Sequence, residues 1–300
     1  MLNIIGKRHI YFTISALAVG AAVAVVILYG FREGIDFRGG TLWQLAARES
    51  APSAAALEAA FREKLSVQDV RINRDGAGSF LVRFPEVTET QHQEYLQTLT
   101  AAFPSLEELS FSSIGPSVGE ELRRKAMYAI LFVLIGISLY IAYAFRKASY
   151  PVSSWKYGWV TLLTLFHDVA IPAGLLAYLG KTQGVEIDGN FVVALLVVMG
   201  FSVHDTIVAF DRIRENVVLR GHKESFEHIV NDSVNQTLAR SVNTSLTLIL
   251  VLLALYFAGP ETLHYFILTL LVGVTTGVYS SIFIASPLLL VFKGKGKGGD

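Results

Sequence analysis

Five runs of mostly apolar residues, 10–29, 126–145, 157–179, 191–210 and 263–292, reach the length of about 20 residues that a helix needs to cross a bilayer. A sixth, 241–258, is shorter but nearly free of polar interruption beyond Thr247. Lipid offers no hydrogen bonds to backbone amides and carbonyls, so runs of this kind span as helices. The expected fold is therefore an α-helical polytopic membrane protein with six transmembrane helices. Composition agrees, with 52% hydrophobic and 17% charged residues where a soluble domain carries about 25% charged. The first run lacks a small-residue cleavage site and reads as an anchor rather than a leader. A net charge of zero gives no reason to expect nucleic acid, and zero cysteines leave no thiolate metal site or disulfide.

Lys and Arg in short loops set orientation. With both termini cytoplasmic, the inner face holds Lys7, Arg8, Arg146, Lys147, Lys156, Arg212, Arg214, Arg220, Lys223, Arg240, Lys293, Lys295 and Lys297. The short outer loops hold only Lys181. Arg123, Arg124 and Lys125 run against the pattern, but they belong to a long loop, where the rule is weak.

That loop, 31–125, has soluble composition and the length of a small domain, roughly 95 residues. Residues 41–48 alternate as a strand, and 53–64 read as an amphipathic helix capped by Ser53. Strands at 67–73 and 79–84 flank the turn 74–78; a second helix, 88–103, and a last strand, 106–113, follow. The order β-α-β-β-α-β predicts one ferredoxin-like extracytoplasmic domain. The chain thus divides into a first helix with its cytoplasmic N-terminus (1–30), this periplasmic domain (31–125), helices two to six (126–292) and a cytoplasmic tail (293–300).

Asp205 lies inside the fourth apolar run, about six residues from its charged end, roughly 9 Å in at about 1.5 Å per residue. An isolated acid in a bilayer costs about 3 kcal/mol on insertion scales, so a partner or a role is required. Carrying a proton is the reading preferred here over a passive pair. Asp168, mid-way along the third run with Pro172 four residues on, stays open between relay acid and structural acid. His167 and His204 belong to the residue type that titrates near neutrality, yet read more simply as hydrogen-bonding packing groups. Residues 211–216 read as a helix extension with an Arg212–Glu215 pair, coupled to the amphipathic stretch 226–238. Gly273 and Gly277 form a small-residue face for close helix packing.

Several stretches together resemble the SecD/SecF family of the RND superfamily, and within it the smaller, SecF-type subunit. They are Gly34-Ile35-Asp36-Phe37-Arg38-Gly39-Gly40-Thr41, Gly115-Pro116-Ser117-Val118-Gly119-Glu120-Glu121-Leu122, His167-Asp168-Val169, Phe210-Asp211-Arg212-Ile213-Arg214-Glu215-Asn216, Gln236-Thr237-Leu238-Ala239-Arg240-Ser241 and Asn243-Thr244-Ser245-Leu246-Thr247. The resemblance implies an RND-type half-bundle in the bacterial inner membrane that pairs with SecD beside the SecYEG translocon. It would use the proton-motive force to help unfolded chains complete export. It carries proton coupling onto Asp205 and Arg240, with Asp168 and His204 as further candidates. The linkage would be simple: Arg240 nearby keeps Asp205 ionised, and separation lets it take a proton. His204 departs from the family, which usually has Asn before that Asp. Asp36, Arg38, Gly39 and Gly40 would form a hinge at the start of the outer domain. No cofactor is implied beyond the coupling ion, a proton or, since Thr206 adds a hydroxyl, sodium.

Enzymatic readings fare poorly. Gly115 to Gly119 fit Gly-x-Ser-x-Gly, but the loop's His92 precedes Ser117, against the order of that hydrolase fold. Ser202-Val203-His204-Asp205 lacks the Gly-x-Gly-Asp of intramembrane aspartyl proteases, and neither a His-Glu-x-x-His metal site nor a phosphate-binding loop is present. Two non-enzymatic rivals stand: half of a small-molecule RND exporter, for which one outer domain is small, and a non-transporting translocon scaffold.

Overall fold

The computed structural model describes residues 2–47, 52–74, 78–146, 152–221 and 223–292. Arg48, the turn 75–77, Lys147 and the tail 293–300, all used in the sequence reading, lie outside the described residues. The chain forms two compact units, Glu33–Met127 and the pair of segments Met1–Arg32 and Tyr128–Asp300.

Among the described residues, six helices are long and apolar enough to span a bilayer. They are α1 (Arg8–Tyr29), α5 (Pro116–Ala144), α6 (Ser154–Gln183), α7 (Gly189–Arg220), α8 (Phe226–Ala258) and a last span that starts as α9 (His264–Ser280). Most outrun their apolar stretches. Hydropathy reports where lipid is, not where hydrogen bonding stops, so α7 continues ten residues past Phe210 to Arg220. For the same reason the amphipathic stretch before Ser241 and the apolar run after it are one helix. Starts are fixed locally: Asp188 Oδ1 accepts from the Phe191 amide (2.9 Å), and Ser225 Oγ from that of His228 (3.2 Å).

The last span is not a uniform α-helix. Ser281–Ala285 form a π-helical segment before α10 (Ser286–Val291), and Ser286 Oγ donates to the Ser281 carbonyl at 3.0 Å.

Helices α6, α7 and α9 make up the centre of the bundle, while α1, α5 and α8 leave most of their surface outside. Small residues let the central helices meet. A Cβ on Gly273 would stand 2.3 Å from Val198 Cγ2, and one on Gly277 would stand 3.2 Å from Ser202 Cβ. Between α1 and α6, a Cβ on Gly174 would come within 2.5 Å of that of Ala22. Near the Arg220 end of α7, Phe145 stacks on Tyr157 at 4.9 Å and both meet Phe210 edge-on.

The second unit carries a four-stranded antiparallel sheet in the order β2-β3-β1-β4. In chain order it comprises β1 (Gly40–Ala47), α3 (Ala54–Lys64), β2 (Arg71–Arg74), β3 (Phe80–Phe84), α4 (Glu89–Ala102) and β4 (Leu106–Ile114). Alternation in β1 and β3 buries Trp43, Leu45, Phe80, Val82 and Phe84 against Leu57, Phe61 and Leu99 of the helices. Ser53 caps α3 through the Ala56 amide, and Thr88 with Gln91 forms a capping box on α4.

The β2 strand is shorter than the predicted 67–73. Ser66 adopts φ +59°, and the Val67 amide donates back to the Phe61 carbonyl at 3.0 Å, closing the end of α3. Val67 and Val70 therefore fill the core from a loop rather than from a ladder.

Gly273→Leu drives a branched side chain into Val198. The expected outcome is about 1–3 kcal/mol of overpacking strain, seen as a lower thermal midpoint of the detergent-solubilised protein, whereas Gly200→Leu, at a glycine with open space, should leave the midpoint unchanged.

Candidate functional site

Two carboxylates sit in the middle of the central helices, and both are almost fully enclosed: Asp168 on α6 is 0% exposed and Asp205 on α7 is 6% exposed. An ionised carboxylate there needs donors, and serines supply them. Asp168 Oδ2 accepts from Ser202 Oγ of α7 (2.5 Å) and Ser280 Oγ of α9 (2.7 Å). Asp205 Oδ1 accepts from Ser241 Oγ of α8 (2.7 Å), and Oδ2 from Ser281 Oγ (2.6 Å).

Adjacent serines of the last span thus serve different aspartates. The switch from α to π geometry falls between them, and Gly277, one turn earlier, brings Ser202 against the same helix. A hydroxyl both donates and accepts. Each of these two also has its own-helix carbonyl within reach, Ser280 that of Gly277 (3.1 Å) and Ser281 that of Val278 (2.9 Å). When a carboxylate is ionised, the serine proton points to it. When the carboxyl is protonated, the serine can turn its proton to the backbone and accept the acid's. The cage can therefore hold either charge state, which an ion-pair partner would not do.

Among the described residues, two buried atoms in this region have no partner. His167 Nδ1 faces Asp168 Oδ1 at 2.8 Å, so Nδ1–H is the donor to the carboxylate and Nε2 is left buried and unbonded. Thr206 Oγ1, beside Asp205, is likewise buried and unbonded.

Arg240 and His204 stay outside this cluster. Successive residues on a helix point about 100° apart, so with Ser241 and Asp205 turned inward their neighbours Arg240 and His204 are exposed. No Asp205–Arg240 ion pair exists among the described residues; the pairing expected from the sequence is replaced by the serine cage. Arg240 instead lines a cavity of about 520 Å³ with Asp211, Arg212, Glu215 and Gln236, between α7 and α8 at the end of α5. The charged extension of α7 is tied down as its spacing predicts: Arg212 meets Glu215 (2.7 Å) and Gln236 (2.6 Å), and Asn216 donates to Ser233 (2.8 Å).

Asp36 and Arg38 fall in α2, a single turn (Ile35–Arg38) in the second unit, where Arg38 lies 3.6 Å from Glu33. Gly39 (φ +77°) ends the turn, and a Cβ there would stand 2.7 Å from Pro116 Cα. Gly119 has the same constraint from the other side, 2.9 Å from the Gly39 nitrogen. Gly115 to Gly119 therefore form a close backbone crossing, with Ser117 exposed on the first turn of α5.

The four serines carried no mark in the sequence. A serine in an apolar helix ordinarily bonds the carbonyl one turn back, as Ser245 does here, and only the packing reveals which ones reach an acid. Ser281→Ala is expected to lower stability by about 1–3 kcal/mol, the cost of stranding a buried acceptor. In an Asp205→Leu background the same change should be nearly neutral, a double-mutant cycle read by thermal unfolding in detergent.

Residues 94–295 match the family described as protein export membrane protein SecD/SecF, C-terminal. The chain is similar to the protein translocase subunit SecF of Thermobaculum terrenum, 45% identical over 98% of this chain and 95% of that one. It is 36% identical to SecF of Anaerolinea thermophila, over 98% and 94% of the two chains. Against SecDF of Thermus thermophilus it is also 36% identical, over 99% of this chain but 39% of the relative. The crystal structure of that translocon-associated SecDF superposes with a TM-score of 0.79 at 36% identity, covering 97% of this chain and 38% of the other.

Proposed function

The chain belongs to the SecD/SecF family of protein-export membrane proteins, and from that premise we propose that it is the SecF-type subunit that, with SecD, promotes protein translocation across the bacterial inner membrane beside SecYEG. The ion that drives it is a proton carried by Asp205. The observation that carries this reading is the enclosed Asp205 caged by Ser241 and Ser281, a carboxyl that can change charge without losing its partners.

In this mechanism the proton reaches Asp205 or Asp168, the serine protons turn to the Val278 and Gly277 carbonyls, and the loss of charge loosens the contact of the last span with α6 and α7. Arg240 immediately precedes Ser241 on α8, about 100° away in helical phase, and in the alternate arrangement a rotation of α8 lets it take over the ionised Asp205. His167 Nε2 and Thr206 Oγ1, buried and unbonded, are the points where a proton or a water would join the path. His204, exposed, is outside it.

Partner placement follows from the outer face of α8. Gln236, Arg240, Asn243, Thr244 and Thr247 form an exposed polar stripe on a spanning helix, with His204 exposed on the neighbouring α7. Such groups are costly against lipid, and the Thermus relative is a SecDF whose chain extends well beyond the matched part. We assign this stripe to the SecD contact. The termini are taken as cytoplasmic from the Lys and Arg distribution. The β2-β3-β1-β4 order supports reading the second unit as ferredoxin-like, and its periplasmic side follows from the same Lys and Arg distribution. Asp36, Arg38, Gly39 and Gly40 act as its hinge segment, with the Gly39–Gly119 crossing making the chain before β1 and after β4 move as a pair.

The test is ion current through bilayers holding this protein with SecD, under proton and sodium gradients. Proton current is expected in the wild type and should vanish in Asp205→Asn. Sodium current would change the ion and keep the site. Equal behaviour of the two proteins would overturn proton coupling at Asp205 and favour the scaffold, and drug-stimulated current without client protein would favour a small-molecule exporter.

A further inference from the structure

At the opposite end of α7 from Asp188, a cluster unused by the reading above joins the last turn of α7 to the start of α8. Glu224 precedes the helix, and His228 and Asp232 follow at successive turns, so all three lie on one face. Their ligand atoms lie within 4.8 Å of one another. His228 Nε2 is 3.7 Å from Glu224 Oε2 and 3.7 Å from Asp232 Oδ2. A tetrahedral ion with bonds of about 2.1 Å has ligand–ligand edges of about 3.4 Å, so the two edges from His228 are within a few tenths of an ångström of coordinating spacing, and the carboxylates lie within 4.8 Å of each other.

A cationic group already stands among them. Arg220 Nη1 is 3.0 Å from Asp232 Oδ2 and 3.4 Å from Glu224 Oε2, the same two oxygens. The fit is incomplete: Asp232 is 5% exposed, and among the described residues its second oxygen, Oδ1, is buried without a donor, and Arg220 Nη2 is buried without an acceptor. A buried carboxylate with half its acceptor capacity unmet calls for a second cationic contact. The imidazole is more than half exposed, which leaves an approach open from solvent.

We propose that Glu224, His228 and Asp232 form a binding site for a transition-series divalent cation of the Zn²⁺ class, whose place between the carboxylates Arg220 holds when no metal is bound. One imidazole with two carboxylates is a donor set that favours such ions over Mg²⁺ or Ca²⁺, which prefer all-oxygen shells. Metal binding displaces the guanidinium, satisfies Asp232 through both oxygens and transfers the tether of this α8 turn from Arg220 to the ion. The site is independent of the proton-coupling reading.

The experiment titrates Zn²⁺ calorimetrically into the full chain in detergent, purified without a polyhistidine tag, with the visible absorption of Co²⁺ as a second readout. The expected result is a single stoichiometric site that weakens at least about tenfold in His228→Ala and tightens about tenfold in Arg220→Gln, which removes the competing charge. His228→Ala leaves both Arg220 pairs intact, so a folding defect would not account for its loss. His9→Ala, at an exposed histidine of α1, should bind as the wild type does. Absence of a stoichiometric site, undiminished binding in His228→Ala, or unchanged or weaker binding in Arg220→Gln would each overturn the proposal.

Discussion

The structure depends on how two carboxylates are kept inside an apolar bundle. Charge at that depth is tolerated only where donors converge, and Asp168 and Asp205 collect them from α6, α7, α8 and the last span. Each acid is therefore a meeting point of helices that apolar packing alone would leave free to slide, since lipid is as apolar as the helices are. Gly273 and Gly277 serve the same arrangement, because without close approach of α7 and α9 the serine hydroxyls would fall short. The bonds that satisfy the acids are the same ones that tie the central helices together, so any loss of charge at either acid would act directly on the packing of the bundle.

Much of this was legible in the sequence. The apolar runs locate all six spans, and Asp205 stands out because an acid in such a run has no ordinary reason to be there. In the second unit, alternation and capping residues place both helices and three of the four strands, β1, β3 and β4. Helix length was less legible. A window of apolar residues ends where lipid ends, while α5, α7 and α8 continue through charged turns stabilised by their own ion pairs, such as Arg214 with Asp211.

The partners of the acids were not legible, for a physical reason. Arg240 drew attention because charge complements charge, yet helical phase turns it away and brings in Ser241, its neighbour. Serine is common in membrane helices and satisfies itself locally, so no local pattern separates Ser245, which bonds its own helix, from Ser241, which reaches Asp205. Strand β2 fails similarly: Val67 to Val70 look like a ladder segment, but a carbonyl at the end of α3 claims the Val67 amide first.

The π-helical segment has a consequence for how the last span faces its neighbours. One extra residue in a turn advances the helical phase by about 100°, so the two halves of this span are cut from different registers. Continued at ordinary periodicity, the buried stripe through Leu270, Val274, Gly277 and Ser281 would next favour Ala285 and then Leu288. Instead it reaches Leu289, which is fully enclosed, while Leu288 is only partly so. The inserted residue acts like a vernier offset. Ser280 and Ser281 already face different helices by ordinary helical phase, and the π segment that begins at Ser281 shifts the register of the turns after them, returning Leu289 to the core.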